Sequence, residues 1–422
     1  MITEFAIAGL GMYVWEKFKY RDTIKLKKEF NDLIEKNKLN YTIIEIQKTD
    51  IGYKYLVNIK GLGIEKLQKL NDILESYYNA TIEIEQSETN KSIAILNIIM
   101  KQLSNNEKFK PTFVKPYELY LGKTYTMQDI IVSMKDLPHL LYSGINSSGK
   151  TYCLLTALTN LIHFHNDRTI EIFLSQISDK KDLRKFKDCK QCRGYAPTLQ
   201  ESFKMFQYLH NIMKKRISMF NSITNQYIDT IFEWNQTFPK RKMRFIYLCM
   251  DEFSAYMTDN LDSKETKELK EQCLDLLIKL IQQCRCVGIY ILTSLQRPDK
   301  ESLPPRLKAQ FNCKVSFKQS NIASSLVVCD SDKAFYLKTQ REAIVIADTE
   351  YKIKTLYLDN NMIQSFIKES LDTSNSNYYN KNKSIDKKHK IQLLEDKKLV
   401  KRVKSKVKNK KKVKSKVKLS CI

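Results

Sequence analysis

The octapeptide Gly144-Ile-Asn-Ser-Ser-Gly149-Lys150-Thr151 fits the pattern G-x4-G-K-[ST] at every position. Its flanks constrain the fold as much as the motif does. His139-Leu-Leu-Tyr-Ser143 reads as a short apolar strand, and Tyr152 to Phe164 carries Leu154, Leu155, Leu158, Leu161 and Ile162 at helical spacing. Strand, glycine loop and helix in that order make a phosphate cradle from backbone amides and a helix N-terminus. Ile145, Asn146, Ser147 and Ser148 complete the loop between the glycines. Lys150 is placed to reach the β- and γ-phosphates, and the Thr151 hydroxyl to ligate Mg²⁺.

Two later strands are predicted to end beside that loop. Arg244-Phe-Ile-Tyr-Leu-Cys-Met-Asp251-Glu252 is an apolar run that ends in two carboxylates. In open α/β sheets ligands sit at the carboxyl ends of strands. There Asp251 can hold the Mg²⁺ shell through water, and Glu252 can orient and polarise an attacking water. An adjacent Asp-Glu pair favours hydrolysis of ATP over binding alone. Gly288-Ile-Tyr-Ile-Leu-Thr-Ser-Leu-Gln296 is a third apolar run, with Gln296 placed to sense the γ-phosphate.

Around these motifs, residues 117–370 alternate strands and helices, which predicts a doubly wound α/β domain of the P-loop, RecA-like class. Residues 40–104 read as a smaller ββαββ module: strands at 41–46, 53–59, 80–85 and 92–98 around an amphipathic helix, Ile64 to Tyr78. Residues 105–116, polar and with two prolines, read as a linker, and residues 1–39 as an apolar segment followed by a charged helix. Phe5 to Trp15 holds 11 uncharged residues, too few to span a bilayer. Two readings of it stay open, an interfacial segment or the buried start of the first helix.

Charge is distributed unevenly. Of the net +25, residues 381–422 contribute +15, from 18 Lys/Arg and 3 Asp/Glu. Val403-Lys-Ser-Lys-Val-Lys408 recurs as Val413-Lys-Ser-Lys-Val-Lys418. Such a run repels itself and has nothing to bury, so residues 371–422 are expected to form a disordered Lys-rich tail. It could hold DNA by counterion release, hold an anionic membrane surface, or serve only as a solvated tail. The ten cysteines, Cys189-Lys-Gln-Cys192 among them, read either as reduced thiols or, for that pair, as half of a zinc site.

The three motifs in this order resemble the FtsK/SpoIIIE family of DNA-translocating ATPases. The segment from Asp136 through Thr151, Asp251-Glu252-Phe253, the run from Gly288 to Pro298, and Leu307-Lys-Ala309 with Lys314-Val-Ser-Phe317 carry the resemblance, over about residues 40–360. The short motor and basic tail look most like the coupling proteins of Gram-positive conjugative plasmids and integrative elements. The resemblance implies an ATPase that drives DNA, double-stranded and without regard to sequence, through a ring, commonly a hexamer. It implies a cation donated across the subunit interface, for which Arg285, Arg297, Arg306 and Lys314 are candidates. It implies a relaxase and a membrane transfer channel as partners, and a cytoplasmic place, peripheral at the inner face of the membrane. Two alternatives stand beside it: a related motor for chromosome, plasmid or phage DNA without a conjugation role, and a docking module that binds ATP but moves nothing.

The sequence departs from the family pattern at several points. Leu295 stands where a threonine is usual before the glutamine. The family's Asp-Pro-Lys is missing after Glu171-Ile-Phe-Leu-Ser-Gln176, where the chain runs on to Ser178-Asp-Lys180. Lys338-Thr-Gln-Arg-Glu342 lacks the glycine usual in that turn. No winged-helix module follows residue 370, which argues against polar chromosome pumping.

Overall fold

The computed structural model describes residues 23–372 apart from 101, 102, 104, 105, 178–181, 224–226, 297, 300, 301 and 304. The apolar segment Phe5 to Trp15, the Lys-rich tail from residue 373, Ser178–Lys180 and Arg297 therefore lie outside the described residues. The described residues divide into two compact units, one within residues 23–103 together with 125–128, the other within residues 106–124 together with 129–372.

The first unit is a four-stranded antiparallel sheet with helices. A helix α1 occupies 23–36. Then come β1 (Thr42–Thr49), β2 (Gly52–Asn58), α2 (Glu65–Gln68), α3 (Asn71–Tyr78), β3 (Thr81–Gln86) and β4 (Ile93–Ile99). The strand order is β1-β2-β4-β3. Its strands alternate: on β2 Tyr55 and Val57 are buried, and on β4 Ala94, Leu96 and Ile98 are, while the residues between them are half-buried; the pattern ends at Ile99, which is buried too. This period of two is what a sheet with one covered face requires. Phe30, Leu33 and Ile34 of α1, Leu67 of α2, Leu70 at the N-cap of α3 and Leu74 of α3 belong to the same apolar core.

The second unit carries the motor-like sheet. Its elements are β5 (Glu118–Thr124), β6 (Asp129–Ser133), β7 (Leu140–Ser143), α4 (Lys150–Phe164), β8 (Ile170–Ser175), β9 (Cys192–Ala196), α5 (Leu199–Asn221), α6 (Ile231–Thr237), β10 (Phe245–Met250), α7 (Lys264–Gln283), β11 (Ile289–Leu295), α8 (Pro305–Lys308), β12 (Cys313–Phe317), α9 (Ile322–Cys329), β13 (Glu342–Ile346), β14 (Glu350–Lys354) and α10 (Asn360–Ile367). Ten strands form one sheet in the order β6-β5-β14-β13-β12-β7-β11-β10-β8-β9. From β12 to β9 all neighbours pair in parallel. From β12 to β6 they pair antiparallel. The expected α/β fold with a ββαββ module before it is thus present, with an antiparallel flank added to the parallel sheet.

β7, β8, β10 and β11 are buried at every residue. Strands covered on both faces are mostly apolar; the charged exception, Glu171 on β8, is paired with Arg193 and Arg244. Residues 106–116, read above as a linker, run along this unit. Phe109 and Val114 are buried, the Phe109 amide donates to the Tyr357 carbonyl at 2.8 Å, and Asn160 Nδ2 donates to the Thr112 carbonyl at 2.8 Å.

His139, just before β7, is buried in a left-handed turn with φ 66°. Its Nδ1 accepts from the Ile291 amide at 3.1 Å, so its Nε2, 2.9 Å from the Ile281 carbonyl, is the donor. Burial drives this imidazole down to about 4, which keeps it neutral. The nine described cysteines are free thiols, eight of them buried. Among the described residues, Cys189 and Cys192 belong to no group of three ligands able to hold a metal ion.

Candidate active site

The sheet order brings the three motifs together. β7, which leads into the glycine loop, lies between β12 and β11, and β11 lies between β7 and β10. Leu295 at the end of β11 pairs with Ser143 at the end of β7, and Thr293 pairs with Met250 at the end of β10. All three strands run parallel, so all three motifs emerge at one edge. At a strand spacing of about 4.8 Å, the loop strand and the carboxylate strand stand roughly 10 Å apart. That is a span a triphosphate can bridge.

The loop is held tightly. The Gly144 amide donates to the Leu295 carbonyl at 3.3 Å and the Ile145 amide to the Lys318 carbonyl at 2.9 Å, which ties the loop to both neighbouring strands. Gly144 has φ 147° and Gly149 φ 124°, conformations that L side chains rarely adopt. A Cβ on Gly144 would sit 2.8 Å from Phe317 Cβ, and one on Gly149 2.8 Å from Arg341 Cα. Ser147 is also left-handed, with φ 60°. Asn146 and Ser147 line the cavity beside the loop, and Ser148 Oγ donates to the Ile145 carbonyl at 2.7 Å. Gly149 caps α4, whose first amides have no acceptor within the helix. Lys150 is buried, and its Nζ donates across the loop to the carbonyls of Gly144 and Ile145. This loop geometry fits a phosphate chain, with the amine placed over the loop.

Behind it Asp251 is held by its backbone to the strands on either side, and Glu252 by its carboxylate. The Asp251 amide donates to the Ser175 carbonyl at 3.1 Å, and Ser294 Oγ donates to the Asp251 carbonyl. Glu252 Oε1 accepts from the Gln296 amide at 3.1 Å and from Ser254 Oγ at 3.0 Å. Its Oε2 is buried and has no hydrogen-bond partner among the described residues. Burial pushes the Glu252 carboxyl above the usual carboxylate range, although the Gln296 amide, the Ser254 hydroxyl and the Lys150 charge all pull it down. A buried, half-satisfied carboxylate of raised pKa beside a cation is suited to take a proton from water. Thr151 in the first turn of α4 and Asp251, buried at 4% exposure, carry oxygens that could hold a magnesium ion. Two protein oxygens suit an ion that keeps several of its waters.

A cavity of about 980 Å³ opens beside the loop, lined by Lys150, Thr151, Ser294 and Gln296 on one side. Asp251 and Glu252 are joined to that wall through Ser294 and Gln296. The same cavity is lined by Tyr152, Arg341 and Tyr357, none of which was singled out from the sequence. The missing glycine in the turn before Glu342 was the one available signal for Arg341. Leu295, the departure before Gln296, is fully buried in β11, and the neighbouring Ser294 supplies the polar contact to Asp251. Of the candidate interface cations, Arg285 precedes β11 at the opposite edge of the sheet and donates to the Lys135 carbonyl at 3.4 Å. Arg306 is exposed on α8, and Lys314 is half-buried on β12.

No family model matches the chain. Among curated proteins it is similar to proteins named DNA translocase FtsK. That of Chlamydia muridarum is 23% identical over 268 residues, 60% of this chain and 32% of the relative. That of Chlamydia pneumoniae is 27% identical over 245 residues, 54% of this chain and 28% of the relative. That of Leptospira interrogans serovar copenhageni is 20% identical over 376 residues, 82% of this chain and 37% of the relative. The chain spans about a third of the length of these relatives. Among solved structures it is similar to the pCW3 conjugation coupling protein TcpA, a monomer form with ATPγS, at a TM-score of 0.59 and 17% identity, covering 82% of this chain and 99% of that one. The cytoplasmic domain of the Thermomonospora curvata Type VII secretion ATPase EccC follows at a TM-score of 0.52 and 15% identity, covering 64% of this chain and 34% of that one. At these identities the solved structures establish the fold.

Proposed function

From the resemblance to the FtsK/SpoIIIE motors as premise, we propose that this chain is an ATP-driven DNA translocase of the coupling-protein type, moving DNA during conjugative transfer. The observation that carries the reading is the join between Glu252 and Gln296: a carboxylate at one strand end held by the backbone amide of the next, beside the loop that cradles phosphate.

The residues divide the work. The loop amides from Gly144 to Thr151 and the Lys150 ammonium bind the triphosphate and offset its charge. Magnesium, held by Thr151 and Asp251, would neutralise charge on the phosphate oxygens. Glu252 orients the attacking water and accepts its proton at Oε2. Gln296 meets the γ-phosphate, and because its amide restrains Glu252, a shift at Gln296 is felt by the base. Subunits form a ring, read as a hexamer, and a neighbour supplies the cation that completes the site. DNA passes through the ring, gripped by its phosphates, so that grip falls with salt and ignores sequence. A relaxase and a membrane transfer channel are the implied partners. The place of work is the cytoplasm at the inner face of the membrane, with the Lys-rich tail available to DNA or to anionic lipid. Among the described residues no helix is long and apolar enough to cross a membrane.

The test is ATP hydrolysis by the full chain with and without double-stranded DNA, with Glu252→Gln as control. Stimulation by DNA, and a fall of about 100-fold or more in the variant, is the expected result. Binding without hydrolysis would leave only a docking module. DNA-stimulated hydrolysis with no effect of deletion on plasmid transfer would leave a motor without a conjugation role.

A further inference from the structure

The turn before β13 places a cation in the cavity that the motifs do not account for. The Arg341 amide donates to the Ser148 carbonyl at 2.8 Å, and the Arg341 carbonyl accepts from the Thr355 amide at 2.9 Å. The residue is therefore fastened by its backbone to the phosphate loop on one side and to the end of β14 on the other. Its φ is 66°, the left-handed region where glycine is at ease and an arginine is strained. The backbone role alone would be met better by glycine. The side chain is what the strain retains.

That side chain is 8% exposed and lines the cavity with Lys150 and Thr151. Its guanidinium carbon lies 5.6 Å from the Tyr152 ring centre and 5.4 Å from that of Tyr357, within cation–π reach of both. Tyr152 follows Thr151 directly on α4. Tyr357 is fixed by its own backbone, its amide donating to the Glu107 carbonyl at 2.7 Å and its carbonyl accepting from the Phe109 amide at 2.8 Å. The guanidinium thus lies between two rings, one carried by α4 and one on a backbone pinned at both its amide and its carbonyl. A guanidinium held by cation–π contact keeps its charge and its several N–H donors, the groups that phosphate oxygens recognise.

We propose that Arg341 contacts the phosphate chain of the bound nucleotide from within the same subunit, at the Tyr152 end of the glycine loop. The inference rests on the reading of this cavity as an ATP site, and it is separate from the cation supplied across a subunit interface.

The test uses the full chain in Arg341→Gly and Arg341→Lys forms. It measures affinity for magnesium ATPγS, competition by inorganic tripolyphosphate, and thermal unfolding without ligand. Arg341→Gly is expected to weaken both ligands at least tenfold with no fall in Tm, since glycine suits the backbone there. Arg341→Lys, which keeps charge but not the planar fork, is expected to fall between. Unchanged affinity in Arg341→Gly overturns the proposal. So does a lowered Tm, which would make the residue structural. A loss confined to ATPγS, with tripolyphosphate unaffected, moves the contact to the base and overturns it too. A wild-type chain that binds neither ligand removes the ATP site itself, a failure distinct from the others.

Discussion

The two sheets of this chain solve the problem of a covered face in different ways. In the first unit β2 and β4 alternate buried and half-buried residues, so half of each strand is free to be polar. In the second, β8, β10 and β11 bury every residue. A strand covered on both faces tolerates a polar group along its length only when it is paired, as Glu171 on β8 is with Arg193 and Arg244. Polar function is pushed to the strand ends, where Asp251, Glu252, Ser294 and Gln296 stand. The alternating sheet has no such compulsion, and none of the candidate catalytic groups lies on it.

If that contrast is right, truncation should hurt most in the doubly covered strands. Leu248, fully buried in the middle of β10, is expected to cost about 4 kcal/mol as Leu248→Ala. Urea unfolding followed by peptide-resolved hydrogen exchange in residues 245–250 measures it, and a loss below 1 kcal/mol would break the comparison. Next in size is the acid response of the same sheet. His139 titrates near 6.5 when unfolded and at about 4 when folded, so the unfolded chain binds the extra proton between those values. Stability is present above pH 6.5, falls as pH drops through that window, and flattens below pH 4. The total is roughly 3 kcal/mol. The wild type minus His139→Asn difference in urea midpoints against pH should trace this curve, asparagine being tolerant of the left-handed backbone. A flat difference would show that the imidazole is not held neutral.

A third change bears on the strand ends. Gly149→Ala places a Cβ against Arg341 Cα and should lower ATPγS affinity about 100-fold, near 2.8 kcal/mol at 1.4 per decade, as read by calorimetry. The smallest effect belongs to the one-faced sheet. Ile44 on β1 is 52% exposed, and Ile44→Ala is expected to shift stability by less than about 0.5 kcal/mol. A larger loss would mean that the outer face of that sheet is covered.

What could be read in advance follows locality. The glycine loop, its strand and its helix are contiguous, and so are the strand and the Asp251-Glu252 pair, so pattern and spacing sufficed. Arg341 and Tyr357 lie some 190 and 206 residues beyond the loop they join, and no local pattern connects them to it. Ser294 was hidden for another reason: inside an apolar run, nothing marks which hydroxyl will meet Asp251. Residues 106–116 read as a linker because prolines and polar groups dominate them, although Phe109 and Val114 were the trace of a strap pinned to the second unit.

Sequence alone determined the four strands of the first unit, the strand and helix around the glycine loop and the apolar strands before Asp251 and Gln296, and it marked the residues whose chemistry suits a triphosphate. These follow from side-chain periodicity and from the chemistry of a few contiguous positions. Only the tertiary structure decided that β11 inserts between β7 and β10, that Glu252 is bound to the Gln296 amide, and that Arg341 reaches the cavity. Strand order and cross-chain contacts depend on which surfaces pack together. That choice is made by the whole sheet at once, at distances along the chain over which no periodicity extends.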